Sequence, residues 1–327
     1  MIFRCKNCGA NAIYSPEKGT MYCPYCDSLD SEELAPSEGM GNCINCGGEL
    51  EAGDHNSAVK CSHCGSYVIF EERTSGEYQP HTIMPFKISK DNAKELIRKE
   101  FGKKAFLPTG FLSEAKMSEM EGHYVPFFMY DYECNYKLSA KGTKIRTWRV
   151  GNTEYTETSI YDIYRDMDVN FDKIPADASI EMNDEKMDLM EPYDYKALEE
   201  FKAKYMSGFL AEKYNMPAEE LEPRANRKAQ ADAQALMTTS IKGYASVTDK
   251  VPNLKMNLRS TDYTLLPVWK YSFFYKNKEY PFFINGQTGK MVGNAPFAIE
   301  KVVTYGLTVF SAFALIGMCI NIILGGL

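Results

Sequence analysis

From Tyr124 the chain alternates large apolar and polar residues with a period of two. Phe128, Tyr130, Tyr132, Cys134, Tyr136 and Leu138 fall on one face, and Met129, Asp131, Glu133, Asn135 and Lys137 on the other. This spacing predicts a long half-buried strand. Further strands are expected over 144–150 and 154–166, joined at Gly151-Asn152. The short connection fits an antiparallel meander and excludes a parallel crossover. Upstream, the run IMPFKI reads as a short strand. Ser89 then caps a helix to about Lys104, with Ala93, Leu96, Ile97 and Phe101 on its apolar face. A single helical turn is expected near Leu112.

Residues 175–194 read as irregular and acidic. A helix is predicted over 195–214 from Leu198, Phe201, Tyr205 and Phe209. Pro217 opens another segment, rich in Ala and restarted at Pro223, to about 242. Strands return at Tyr263. The run LLPVWKYSFFY resembles YVPFFMYDYEC, and aligning Pro267 with Pro126 sets Trp269 against Phe128 and Tyr271 against Tyr130. This suggests an internally duplicated β-rich unit, with two unrelated aromatic strands as the alternative. Asn285-Gly286 and Thr288-Gly289 mark a tight turn after YPFFI. Cys134, on the apolar face of a strand, reads as a packed core thiol.

The pattern changes again at 302–324, where 23 residues carry no charge. At about 1.5 Å per residue they extend roughly 34 Å, enough for a hydrocarbon core of about 30 Å. A single transmembrane helix is expected. Lys290 and Lys301 precede it and only Gly325, Gly326 and Leu327 follow. The positive-inside tendency therefore predicts a tail-anchored chain in the cell membrane, with its N-terminal region in the cytoplasm. Ser311, Ala314 and Gly317 form a small-residue strip. Cys319 and Asn321 could contact another membrane subunit, with placement at the interface as the alternative.

The first 64 residues hold eight of the ten cysteines, as Cys5-x-x-Cys8, Cys23-x-x-Cys26, Cys43-x-x-Cys46 and Cys61-x-x-Cys64. Fourteen residues separate the pairs in each set, and the second set repeats the first 38 residues later. Two such knuckles place four thiolates in a tetrahedron, a closed shell with no position for water. Two zinc ribbons, each holding one Zn2+ through four Cys, are expected. Gly9, Gly47 and Gly65 follow three knuckles, and Asp27 the fourth, where a positive φ is often required. A disulfide framework would suit a secreted chain, but no secretory signal precedes Cys5. Iron is the other metal that four thiolates suit. His55 and His63 read as surface residues.

The predicted organisation is α+β: ribbon 1 over 1–30, a linker over 31–42, ribbon 2 over 43–70, a linker over 71–80, an antiparallel β-rich body with helices over 81–298, and the membrane helix.

The formal charge of the 327 residues is −7. Residues 1–78 have five Lys and Arg against twelve Asp and Glu, so the imbalance lies wholly on the ribbon region, its linkers included. Coordinated thiolates add further negative charge. Nucleic-acid affinity depends on Lys and Arg neutralising phosphates. A protein partner is therefore the better expectation, with a membrane-tethered nucleic-acid-binding regulator as the alternative. No Walker loop, dinucleotide fingerprint, H-E-x-x-H or G-x-S-x-G occurs. No catalytic role is expected, unless a site in the body is hidden from the sequence.

Tandem N-terminal CxxC ribbons, the strands YVPFF and LLPVW, the turn NGQTGKMVG, the segment FLAEKY and the C-terminal span together resemble a bacterial family. It is that of TFIIB-type zinc-ribbon membrane proteins of the YdjG type. The resemblance implies a membrane-stress system, with phage-shock-protein-A-like and flotillin-like SPFH proteins as partners. It also implies metal ligation by Cys5, Cys8, Cys23, Cys26, Cys43, Cys46, Cys61 and Cys64.

Overall fold

A computed structural model describes residues 1–34 and 41–325. Its body is built on two long hairpins. In the first, Glu121–Val150 pairs antiparallel with Thr153–Asp177, and the turn between them is Gly151-Asn152. Gly151 has φ +61°, which suits a two-residue hairpin turn. In the second, Ser246–Tyr275 pairs with Lys278–Asn285. The 30-residue strands Glu121–Val150 and Ser246–Tyr275 also pair with each other. At about 3.3 Å per residue each is roughly 100 Å long, so the inner part carries the core and the outer part projects as an exposed ribbon.

The expected duplication is present in the pairing. His123 and Tyr124 pair in parallel with Leu210 and Ala211, while Thr264 and Leu265 pair in parallel with Thr82 and Ile83. Phe127 faces Asp177 across the first hairpin, and Val268 faces Asn285 across the second. The Ala178 N–H donates to the Pro126 carbonyl and the Gly286 N–H to the Pro267 carbonyl, each at 2.9 Å. Every one of these correspondences follows from setting Pro267 on Pro126. The body is thus two β-α-β-β units. Each unit's short strand pairs with the other's long strand, and the two long strands meet at a pseudo-two-fold axis. Each proline falls where the outer neighbour changes from short strand to hairpin partner. A missing ladder donor is tolerated at such a break.

One helix follows each short strand. Lys90–Phe101 is capped by the Ser89 side chain, which accepts from the Asn92 N–H, and buries Ala93, Ile97 and Phe101. Ala218–Ser240 runs as one helix through Pro223. It buries Leu221, Ala225, Ala229, Ala233 and Met237, one every four residues. Three alanines on that stripe let it lie close to the sheet, where Cys134 is buried beside Ala233 and Met237 as a core thiol. At the centre Phe86 stacks on Phe209 at 4.0 Å, with Tyr124 and Trp269 edge-on to Phe86. Edge-on and offset rings are the favoured aromatic geometries.

Several expectations are corrected. No helix covers 195–214. Tyr195–Ala197 and Ala203–Met206 are 3-10 turns, and Glu199–Glu200 and Leu210–Glu212 are strands. Gly208, with φ +101°, breaks any helix there, and a Cβ on it would meet Ile13 at 3.0 Å. Asp184–Leu189, expected to be irregular, is a short helix capped by Asn183. The third long strand begins at Ser246, well before Tyr263.

The ribbons are sewn into the body. Asn56–Lys60 pairs with Leu210–Glu212 and Tyr67–Ile69 pairs with Asn56–Lys60, so ribbon 2 forms one end of the ten-stranded sheet. Ser207 Oγ donates to the Ala12 carbonyl at 2.8 Å, tying down ribbon 1. The expected linker 31–42 contributes a strand, Ser31–Leu34, paired with Ile2–Cys5; its residues 35–40 lie outside the described residues. The expected linker 71–80 is two 3-10 turns with Thr74 buried.

Ile299–Gly325 is a helix. Within its segment Ile299–Ile322 an 18-residue stretch has mean hydropathy 1.9, and none of that stretch is buried against the rest of the protein. The segment is long and apolar enough to cross a membrane, about 36 Å for 24 residues.

Candidate metal centres

Each knuckle is a tight turn closed by backbone. The Gly9 N–H donates to the Cys5 carbonyl at 2.8 Å, Asp27 to Cys23 at 3.0 Å, Gly47 to Cys43 at 2.7 Å and Gly65 to Cys61 at 2.9 Å. The four donors have φ +73°, +62°, +73° and +74°. The left-handed conformation expected after each knuckle is therefore present at all four, and Asp27 adopts it without being glycine.

The turns bring the cysteines together as Cys5, Cys8, Cys23 and Cys26, and as Cys43, Cys46, Cys61 and Cys64. Within each group all sulfurs lie within 4.8 Å of one another. Across the knuckles, Cys5 and Cys26 stand 3.5 Å apart and Cys8 and Cys23 3.6 Å; Cys43 and Cys64 are at 3.6 Å and Cys46 and Cys61 at 3.8 Å. A tetrahedral ion with metal–sulfur bonds of about 2.3 Å needs sulfurs about 3.8 Å apart. All eight thiols are free of disulfides. Both groups fit a metal ion held by four thiolates. His55 and His63 join neither group.

Burial repeats with the sequence. Cys5, Cys23, Cys43 and Cys61 are buried, whereas Cys8 and Cys46 are exposed. The polar surroundings repeat too. Asn7 Nδ2 donates to Cys26 Sγ and Asn45 Nδ2 to Cys64 Sγ, each at 3.6 Å. These donors orient and stabilise thiolates, as outer hydrogen bonds do in metal sites. The sequence reading passed over them, although both knuckles carry Asn before the second cysteine. Ser66 Oγ stands 3.1 Å from Cys64 Sγ and accepts from Asn11 Nδ2 at 2.6 Å. Arg4 donates to Asn45 Oδ1 at 2.8 Å. Ribbon 1 therefore braces the shell of ribbon 2, a contact no spacing rule would have found.

Without a metal the thiols are pushed apart in acidity. The Cys8 backbone N–H, helped by that of Asn7, holds Cys5 down at about 6. The Ala10 N–H favours the Cys8 thiolate, but the Cys26, Cys23 and Cys5 sulfurs and burial carry Cys8 up to about 12. Burial, with Cys64 and Cys61, pushes Cys43 up to about 12 against the N–H groups of Cys46 and Asn45. Burial also opposes ionisation of Cys64, yet the Ser66 hydroxyl and N–H and the Asn45 amide bring it down to about 6. Four crowded sulfurs cannot all ionise until a cation neutralises them.

No family model matches the chain, and no solved structure matches it. A curated relative does. The uncharacterized protein YdjG of Bacillus subtilis (strain 168) is 34% identical over 335 aligned residues, spanning 99% of this chain and 98% of the relative. The chain belongs to the YdjG family. Because the likeness to YdjG runs end to end, it takes in the ribbons, the duplicated body and the apolar helix together.

Proposed function

We propose that the chain is a membrane-held zinc-ribbon adaptor that recruits or organises cytosolic proteins at the bilayer, acting by binding without turnover. The observation that carries this reading is the surface of ribbon 1. Tyr25, inside the second knuckle, is 75% exposed, and Leu29 just beyond it is 56% exposed. Two large apolar side chains on a ribbon whose Arg4, Lys6 and Lys18 are balanced by Glu17, Asp27 and Asp30 suit a protein partner better than a phosphate backbone. Closed four-thiolate shells leave no coordination position for a substrate. The opposite end of the chain carries the helix able to span a membrane. Lys276, Lys278, Lys290 and Lys301 precede or open that helix and favour a cytoplasmic body. By family resemblance the candidate partners are phage-shock-protein-A-like and SPFH proteins, in a response to membrane stress.

The nucleic-acid alternative would rest on the hairpin tip, where Arg146 lies over Trp148 and Trp148 stacks on Tyr155. There Glu154 pairs with Arg149 at 2.8 Å and Glu157 stands opposite Arg146, which leaves Lys144 as the one uncompensated cation over 144–160, little for a phosphate backbone.

Deleting the ribbons is a poor test of docking, because Phe3, Tyr14, Ala58 and Ile69 belong to the body core. Substituting the exposed pair avoids this. Y25A/L29S is expected to weaken partner capture from detergent-solubilised, crosslinked membranes about tenfold or more, with metal content unchanged. Equal capture by both proteins would rule out this tip as the docking surface.

Zinc is the proposed metal, one in each cluster. The S–H protons of Cys8 and Cys43 must then be displaced on loading. Zinc binding at neutral pH is expected to release at least one proton per cluster and to weaken as pH falls from about 8 to about 6. A titration with a pH indicator checks this; uptake without acid release would count against ligation by these two cysteines.

A further inference from the structure

The segment that leads into the apolar helix passes over the end of the Lys90–Phe101 helix and leaves a cleft of about 1270 Å³. One wall is Arg98 to Leu107, and the other runs from Met291 to Phe297. Arg98, Lys99, Lys103 and Lys104 line it, against Glu95 and Glu100. The two acids are taken up: Glu95 stands 3.8 Å from Arg98, and Glu100 pairs with Lys104 at 3.1 Å. Arg98 also pairs with Glu114. Lys99 and Lys103 have no ion-pair partner among the described residues, and both are exposed. The cleft therefore holds two uncompensated cations.

Its position decides what they could meet. The Ala298 N–H donates to the Phe106 carbonyl at 2.8 Å, and the Phe106 ring contacts Phe297 and Tyr305 with centroids 5.7 and 5.8 Å apart. The apolar helix thus starts at the mouth of the cleft. Glu300 in its first turn accepts from the Tyr275 hydroxyl at 2.7 Å and pairs with Lys276, which fixes that root to the body. Phe297 and Ile299, 58% and 61% exposed, mark the same level. Aromatic residues and lysines beside a spanning helix lie at headgroup depth, and lysines there attract anionic lipid at about 1 kcal/mol each.

We propose that this cleft binds the phosphate headgroup of an anionic phospholipid, with Lys99 and Lys103 as its charge partners. The proposal rests on the reading that the helix enters the bilayer. A lipid held there would join the body to the membrane by a second contact and fix its tilt on the helix.

Two measurements on the full chain separate the claims. Flotation with phosphatidylcholine vesicles reads insertion alone, and both the natural chain and K99A/K103A are expected to float. Failure of both to float would overturn the membrane reading and the site with it. Native mass spectrometry of the chain released from nanodiscs with equal phosphatidylglycerol and phosphatidylcholine then reads the site. The natural chain is expected to retain phosphatidylglycerol preferentially. K99A/K103A should lose about fivefold of that preference for each charge removed, and K99R/K103R should keep it. Equal retention of the two lipids, or an unchanged preference in K99A/K103A, would overturn the site while leaving insertion intact. Millimolar inorganic phosphate is expected to leave the ratio unchanged; if it erases the preference, the cleft takes free phosphate and the lipid assignment falls.

Discussion

Cys61→Ser is expected to empty the second metal cluster and to loosen the end of the body sheet with it. Cys61 is 2% exposed and directly follows Asn56–Lys60, the strand that pairs with Leu210–Glu212. Structural zinc contributes about 10–16 kcal/mol of apparent binding energy to the fold around it, comparable with the whole stability of an ordinary domain, about 5–15 kcal/mol. A serine hydroxyl does not replace a thiolate in that shell. With zinc as the proposed metal, its content should fall from two ions per chain to one. Amide exchange protection should be lost over 43–70 and at Ala211, while the inner part of the long hairpin keeps its own. Cys134→Ser is the control. That thiol is buried against Ala233 and Met237, and burial raises its pKa, so the substitution costs packing but should leave both metals bound. Two zinc ions retained in Cys61→Ser, with Ala211 still protected, would show that ribbon 2 neither needs this ligand nor holds the sheet.

The same coupling explains what the sequence made visible. The knuckles were legible because their chemistry is local: four residues fix each turn, and the 38-residue repeat states it twice. The inner part of Glu121–Val150 was legible because its even-numbered face is buried from Gly122 to Gly142, which writes a period of two; its exposed outer part, expected as a separate strand over 144–150, continues the same strand. Residues 246–262 are the outer part of an equally long strand; there Leu254, Met256 and Leu258 alternate with Lys255, Asn257 and Arg259, and Leu254 and Met256 pack beside Cys134, a short period of two that the strand expected from Tyr263 leaves out. At 195–214 the spacing of Leu198, Phe201, Tyr205 and Phe209 mimics a helical stripe. Those side chains reach the core from 3-10 turns, bends and short extended pieces instead, since Leu210 and Ala211 are needed beside His123 and Tyr124. Ser31–Leu34 was hidden for a similar reason: SEEL looks like a linker, yet its backbone pairs with Ile2–Cys5. The duplication was legible only in the aromatic runs around its two prolines. Outside them the units diverged in side chains while keeping their pairing.

That divergence locates the most vulnerable charge in the body. Where the second unit has the buried Asn285, the first has Asp177, which is fully buried. Asn285 is satisfied as a neutral amide, donating to the Met190 carbonyl and accepting from the Gln287 and Thr288 N–H groups. Asp177 relies on Arg224, 2.8 Å away on the Ala218–Ser240 helix. Arg224 also reaches Asp188 at 2.8 Å and Asp184 at 3.1 Å. Burial pushes the Asp177 carboxyl up to about 6, with Arg224 opposing the rise. A raised carboxyl means that the folded chain holds the proton more tightly than the unfolded one. Its stabilising effect is complete below the unfolded value near 3.8 and is lost as pH rises through about 6. Removing the cation should sharpen this dependence. Arg224→Ala is expected to cost about 3–5 kcal/mol at neutral pH, the usual penalty for leaving a buried charge alone. The cost should shrink toward about pH 5, where Asp177 can take up a proton. D177N/R224A should recover part of the loss, because the neutral amide is what the other half of the molecule uses at the same place. Urea unfolding of the natural chain, D177N, R224A and D177N/R224A in detergent, at neutral pH and near pH 5, reads all of this as a double-mutant cycle. Equal destabilisation of R224A and D177N/R224A at both values would show that Arg224 supports the helix through Asp184 and Asp188 alone, and that Asp177 tolerates burial without it.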